Sequence, residues 1–178
     1  KTLDILPMDS MRTEFMGRQW GTPAEFLVYD GAPYYSRDVL AYTLLHGVMI
    51  RPGSPDSMER ASALWKVHDE FPFSHGEMLG YWMNADYVKI AGSPSGTLQS
   101  GPAAVYATVW QLPNKGSLLV VSNLTDNDQS ARLTLNLKKL NATKGTVRDA
   151  LTGETLKHSN GQLTLEVPTW RYRVLRVE

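Results

Sequence analysis

Asp30 is the residue with the clearest opportunity for chemistry. It closes the apolar run Phe26-Leu27-Val28-Tyr29 and is followed by Gly31. A continuous apolar run bounded by turn residues suits a strand buried on both faces, as in a parallel sheet. A carboxylate at the end of such a strand can act as general acid, general base or nucleophile. In an Asp-Gly turn the same carboxylate only accepts hydrogen bonds from nearby backbone amides. No spacing singles out a second carboxylate. Glu14, Glu25 and Asp38 are candidates, and Asp38 equally suits the first turn of a helix, where it meets the positive end of the dipole. Trp20, Tyr34 and Tyr35 lie in irregular segments beside Asp30, with Arg18, Gln19 and Arg37 close by in sequence. Aromatic faces stack on the apolar faces of sugar rings while such polar side chains take up hydroxyls. The same aromatics could instead pack over the end of a sheet.

Other chemistries find little support. His46 and His68 fall within helical patterns more than twenty residues apart, with no paired ligand one turn away. They read as packed imidazoles, so we expect no metal, and nothing points to a cofactor. The absence of cysteine excludes disulfides, zinc–thiolate sites and a thiol nucleophile. Serine-nucleophile signatures and phosphate-binding glycine loops are missing, and Gly92-Ser93-Pro94-Ser95-Gly96 has no helix after it. Eighteen basic and eighteen acidic residues cancel, so no summed field favours nucleic acid or an anionic membrane. Carbohydrate or a protein surface fits that neutrality. No apolar run approaches the roughly 18–20 residues of a membrane span. The chain begins with Lys1, and we expect further residues upstream. Asn123-Leu124-Thr125 and Asn141-Ala142-Thr143 match the glycosylation sequon, a frequent chance match.

The elements that must position these residues change character near residue 86. Before it, apolar spacing is helical. Residues 1–25 are irregular, broken by Pro7, Gly17, Gly21 and Pro23. Ser36 can cap a helix over Arg37–Ile50 whose apolar residues cover most of its circumference and so require burial on several sides. Arg51-Pro52-Gly53 reads as a break. Ser54, Pro55 and Asp56 open a second helix, with Met58, Ala61, Trp65 and His68 on one face and Pro72 beyond its end. Residues 74–83 suit a short third helix.

After residue 86 alternation and turn signals take over. Strands are expected at Tyr87–Ile90, Ala104–Leu112, Ser117–Leu124, 131–137, Thr146–Ala150, Glu154–Lys157, Leu163–Val167 and Tyr172–Val177. Asn160-Gly161 is the sharpest hairpin signal. So many short strands at this spacing favour a sandwich. Trp110, Trp170 and Tyr172 belong to it, either as core or inter-domain packing or, if they share an exposed face, as a glycan platform.

The segments SLLVVSNLT (117–125), TVRDALTGE (146–154) and LTLEVPTWRYRVLRV (163–177), with Val105–Leu112 before them, resemble the β-sandwich that closes many glycosidases built on a (β/α) barrel. Trp20-Gly21-Thr22-Pro23, Tyr34-Tyr35-Ser36-Arg37-Asp38 and Leu44-Leu45-His46 resemble the end of the barrel in secreted bacterial proteins near glycoside hydrolase family 123. The resemblance implies an α+β chain in two parts. Residues 1–86 would be a helical segment with one barrel-like strand, and 87–178 an antiparallel β-sandwich of glycosidase C-terminal type. It further implies a secreted or periplasmic protein that packs against an upstream catalytic domain of the same polypeptide and is inactive alone. The alternative is an autonomous carbohydrate-binding module. On this view Asp30 would be a catalytic carboxylate, one of the pair that glycoside hydrolysis requires. Trp20, Tyr34, Tyr35 and Arg37 would be substrate contacts.

Overall fold

The computed structural model describes residues 8–15, 25–29, 36–72, 75–91, 105–113 and 115–178. Helix α1 (Met8–Phe15) precedes strand β1 (Glu25–Tyr29). Helix α2 (Ser36–Thr43) follows, extended by a 3-10 turn at Leu44–His46. Strand β2 (Met49–Gly53) then pairs with β1 in parallel, from Glu25 opposite Met49 to Tyr29 opposite Gly53. The expected helix over Arg37–Ile50 is therefore cut in two. Gly47 adopts φ +70° and closes the 3-10 turn through a bond from its amide to the Leu44 carbonyl (3.2 Å). A helix cannot continue through that left-handed conformation, which glycine adopts without strain. The Arg51-Pro52-Gly53 break is the end of a strand. Proline lacks the backbone donor, a loss an edge strand tolerates, and among the described residues β2 pairs only with β1.

Helix α3 (Pro55–Glu70) starts as its sequence demands. The Ser54 hydroxyl accepts from the Ser57 amide (3.3 Å), and the Ser57 hydroxyl accepts in return from the Ser54 amide (2.9 Å). Its buried face is Ser57, Ala61, Leu64 and Val67. Met58 and Trp65, expected on that face, are 46% and 43% exposed. Apolar residues occur on two sides of this helix, and only the side turned to β2 and the β-sheet behind it is covered.

The segment expected as a third helix contains strand β3 (Glu77–Leu79) and a turn closed by the Met83 amide on the Gly80 carbonyl (2.9 Å). Three residues are too few to display a period. Strands β4 (Val88–Ile90), β5 (Val105–Leu112), β6 (Gly116–Asn123), β7 (Gln129–Leu135), β8 (Val147–Asp149), β9 (Gln162–Val167) and β10 (Arg171–Val177) follow. They form an antiparallel five-stranded sheet, β3-β5-β6-β10-β8, and an antiparallel three-stranded sheet, β4-β7-β9. The fold is thus α+β, with helices followed by an antiparallel sandwich. It adds a second parallel strand, β2, to the one expected. The strand expected at Glu154–Lys157 is reduced to a single bridge between Thr155 and Arg148. Asn160 (φ +50°) and Gly161 (φ +83°) do form the tight turn expected, between bridged Ser159 and Gln162.

The five-stranded sheet is buried on both faces, which explains the unbroken apolar run of β6. Val109, Leu119, Val121 and Leu175 face the three-stranded sheet and meet Leu133, Leu163 and Leu165. Leu112, Leu118, Val120 and Val174 face the other way, against Val39, Leu40, Leu45 and Leu64. All eight residues of β6 are buried. Helix α2, too apolar to be left wet, is covered on most sides, with Val39, Leu40, Ala41 and Thr43 wholly inaccessible.

Candidate functional site

Parallel strands fix a polarity. The C-terminal ends of β1 and β2 and the N-termini of α2 and α3 all lie at one end of the β1–α2–β2–α3 unit, the end where barrel enzymes place their sites. Asp30, Trp20, Tyr34 and Tyr35 lie outside the described residues. Arg37 does lie at that end, in the first turn of α2. Its Nε donates to Asp38 Oδ1 at 3.3 Å. Arg171, at the start of β10, approaches the same Asp38 oxygen at 3.6 Å. Beside them the Ser36 hydroxyl donates to Asp56 Oδ2, tying the start of α2 to the start of α3. Arg60 grips Asp56 from one turn further on, with Nη2 at 3.0 Å from Oδ1 and Nε at 3.2 Å from each oxygen.

Arg60 first, and Ser36 after it, hold the Asp56 carboxyl below its ordinary range. A carboxylate that must donate a proton to a leaving group needs the opposite displacement. Asp56 is therefore an ionised anchor. Asp38, placed between two guanidinium groups, has the surroundings of an anchor as well. Of the other candidate carboxylates, Glu25 is exposed at the N-terminal end of β1, the wrong end of the strand for this rim. The Arg171–Asp38 contact joins residues far apart in sequence, and no local signal announces it.

The histidines have other work. His46 is 3% exposed. Its Nδ1 donates to the Tyr42 carbonyl (3.0 Å) and its Nε2 accepts from the Tyr81 hydroxyl (3.3 Å). Tyr81 stands edge-on to Trp82 and Tyr106, and Arg12 lies over the Trp82 ring. Burial pushes the His46 pKa down to about 4 and the Tyr81 pKa up to about 12, so both stay neutral at pH 7. Among the described residues no three His, Asp or Glu side chains come close enough to hold a metal ion.

Trp110, Trp170 and Tyr172 pack against the helix-side core and present no common exposed platform. Trp110 lies across Gly47, where an added Cβ would sit 2.9 Å from its ring. A cavity of about 20 Å³, with Leu64, His68, Trp110 and Val174 among its lining residues, separates α3 from the sheet there. That is room for about one water and far below a sugar.

Two of the sandwich motifs, around Asn123 and Asp149, are corner clamps. Asn123 is wholly buried and cannot carry a glycan. Its Nδ2 donates to the Asn127 and Val167 carbonyls, and its Oδ1 accepts from the Thr125 amide and hydroxyl. Asp149 Oδ1 accepts from the Leu151 and Thr152 amides, and Oδ2 takes Arg173 Nε at 2.6 Å.

Comparison with known proteins agrees with this architecture. No curated protein sequence matches the chain. Among solved structures, α-galactosidase I from Mortierella vinacea superposes with a TM-score of 0.52 at 12% identity, covering 85% of this chain and 38% of that one. A Bacillus halodurans protein, provisionally assigned as an α-N-acetylgalactosaminidase, gives 0.51 at 9% identity, covering 82% and 33%. AmyP in complex with maltose gives 0.49 at 19% identity, covering 75% of this chain and 22% of that one. The chain therefore spans well under half the length of these proteins, and at such identities the likeness to the first two concerns the fold alone. The sequence itself matches glycoside hydrolase 123, C-terminal domain, over residues 60–158, more than half of its length, and the chain belongs to that family.

Proposed function

We propose that this chain is the non-catalytic C-terminal portion of a glycoside hydrolase, packed against and stabilising a catalytic barrel that precedes it in the same polypeptide. The observation that carries this reading is the β1–α2–β2–α3 unit. Two parallel strands, their crossover helix and a following helix are the repeating element of a (β/α) barrel. Parallel sheets are ordinarily covered on both faces, yet Leu27 on β1 is 49% exposed, and α3 exposes Met58 and Trp65. Upstream strands and helices would cover all three. The division into a barrel-like part (1–86) and a sandwich (87–178) belongs to the same proposal, as does a secreted or periplasmic location.

Hydrogen exchange tests the docking. In the longer polypeptide, amides of 49–53 and of α3 are expected to exchange about tenfold or more slowly than in the 178-residue chain. Equal rates in the two forms would remove the docking reading.

A second reading, in which this chain lends residues to the catalytic site of the longer polypeptide, makes Asp30 the candidate catalytic carboxylate, with Trp20, Tyr34, Tyr35 and Arg37 as sugar contacts. Asp30→Asn in the longer polypeptide should lower glycoside hydrolysis by about 10²-fold or more at unchanged thermal stability. Full activity would take Asp30 out of the catalytic site and leave the docking proposal standing.

A further inference from the structure

The outer face of the three-stranded sheet carries a feature that neither the sandwich core nor the docking surface uses. Alternation along β4, β7 and β9 sends Val88, Ile90, Leu133, Leu163 and Leu165 inward. It sends Lys89, Arg132, Thr134, Gln162 and Thr164 outward. Register then aligns them across the strands, Lys89 beside Thr134 beside Gln162, and Arg132 beside Thr164 in the next row. A groove of about 560 Å³ crosses this face, bounded on the far side of β9 by Lys157, His158 and Ser159.

Three properties define what the groove could take. First, Arg132 and Lys157 both line it, both are exposed, and neither side chain makes a hydrogen bond or ion pair among the described residues. In a chain whose charges sum to zero, two uncommitted cations over one groove are a local field that does not follow from the total. Second, among the described residues no carboxylate lines the groove. Glu166 stands on this face one row beyond Arg132 and accepts from the Ser130 hydroxyl at 2.6 Å. Third, Thr134, Gln162 and Thr164 offer both donors and acceptors, and among the described residues no Phe, Tyr or Trp ring lines the groove to supply a stacking platform. The wall is fixed: His158 Nε2 donates to the Gly145 carbonyl (2.9 Å) and its Nδ1 accepts from the Gly161 amide (3.2 Å).

We propose that this groove binds an anionic polysaccharide, with Arg132 and Lys157 pairing its charged groups and Thr134, Gln162 and Thr164 exchanging hydrogen bonds with its hydroxyls. An open groove of about 560 Å³ suits an extended chain better than a compact ion, for which converging amides or a closed cage would be required. Without a stacking platform the recognition depends on charge, so it is weak per site and screened by salt. The inference goes beyond the docking proposal and needs no upstream domain.

Affinity electrophoresis of the 178-residue chain tests it, in gels containing polygalacturonate, dextran sulfate or neutral dextran. Retardation is expected in at least one anionic gel and not in dextran. Polygalacturonate alone would identify carboxylate as the recognised group, dextran sulfate alone sulfate, and either result supports the proposal. The double variant Arg132→Gln/Lys157→Gln should weaken retardation by roughly 2- to 30-fold, the range for two exposed ion pairs. Its thermal transition should stay unchanged, because both side chains are exposed. Lys66→Gln, on the distant helix α3, should retain full binding. No retardation in either anionic gel, equal retardation in dextran, or equal loss from Lys66→Gln would overturn the proposal. Equal retardation by single-stranded DNA would replace a glycan site with a general polyanion site.

Discussion

His46 shows how a side chain with catalytic potential is withdrawn from chemistry. Both ring nitrogens are committed inside an aromatic cluster, and Arg12 on α1 adds a repulsive charge to the cost of protonation. The consequence is a pH dependence of stability with a definite sign. In the unfolded chain the imidazole titrates near its ordinary 6.5, and in the folded chain near 4. Above pH 6.5 neither state is protonated and the group contributes no pH dependence. Between 6.5 and 4 only the unfolded state takes up the proton, so stability falls with pH and levels off below 4. The loss is about 2 kcal/mol at pH 5 and about 3 kcal/mol at pH 4. His68 is displaced in the same direction, also to about 4, and adds to the trend. Urea unfolding at pH 7 and pH 5 measures it. His46→Gln should remove about 2 kcal/mol of the difference between the two pH values. A variant that keeps the whole difference would show that other groups carry it.

At the scale of elements, legibility followed how fully a segment displays its period. Strand β7 alternates buried and exposed residues because one face is wet, and its pattern announces it. Strand β6 was legible for the opposite reason, since burial on both faces leaves a bounded apolar run. The cap of α3 was legible residue by residue from Ser54, Pro55 and Asp56. The misreadings have equally local causes. Leu44, Leu45, Val48 and Met49 continue the apolar spacing of α2, and only Gly47, pressed against Trp110 by the fold, marks the turn into β2. The buried face of α3 is not legible because Met58 and Trp65 are as apolar as Ala61 and Leu64, and burial depends on where β2 and the sheet stand. Among the expected site residues, the neighbouring Asp38 was visible beside Arg37. Arg171 and the Ser36–Asp56 link are products of tertiary packing, with no signature in local spacing. The corner motifs are legible as a pattern in the sequence, and the tertiary structure supplies their reason. The Asp149 carboxylate answers two backbone amides and Arg173, and the Asn123 side chain closes the neighbouring corner.

At the scale of the whole molecule, the five-stranded sheet couples the helical layer to the sandwich. Its central strands send alternate side chains to opposite neighbours: Leu118 and Val120 to the helices, Leu119 and Val121 to the smaller sheet. Thr108 adds a directional link, its hydroxyl donating to the Leu45 carbonyl at 2.7 Å within the core. Stripping away the helices would expose Leu112, Leu118, Val120 and Val174 together. At about 1.5–3 kcal/mol for each buried aliphatic side chain, that loss is comparable to the roughly 5–15 kcal/mol that holds a domain folded. The layers should therefore not unfold separately, despite the change of sequence character near residue 86. We expect one cooperative transition in urea, with far-ultraviolet circular dichroism and tryptophan fluorescence coinciding. Trp65 reports from α3 and Trp110 from the junction of the layers. Two resolved transitions would mean that the helical layer is an independent unit, and an upstream domain could then dock on it without stabilising the sandwich. A single transition makes the sandwich sensitive to whatever covers Leu27, Met58 and Trp65, so docking at the helical layer would stabilise the whole chain.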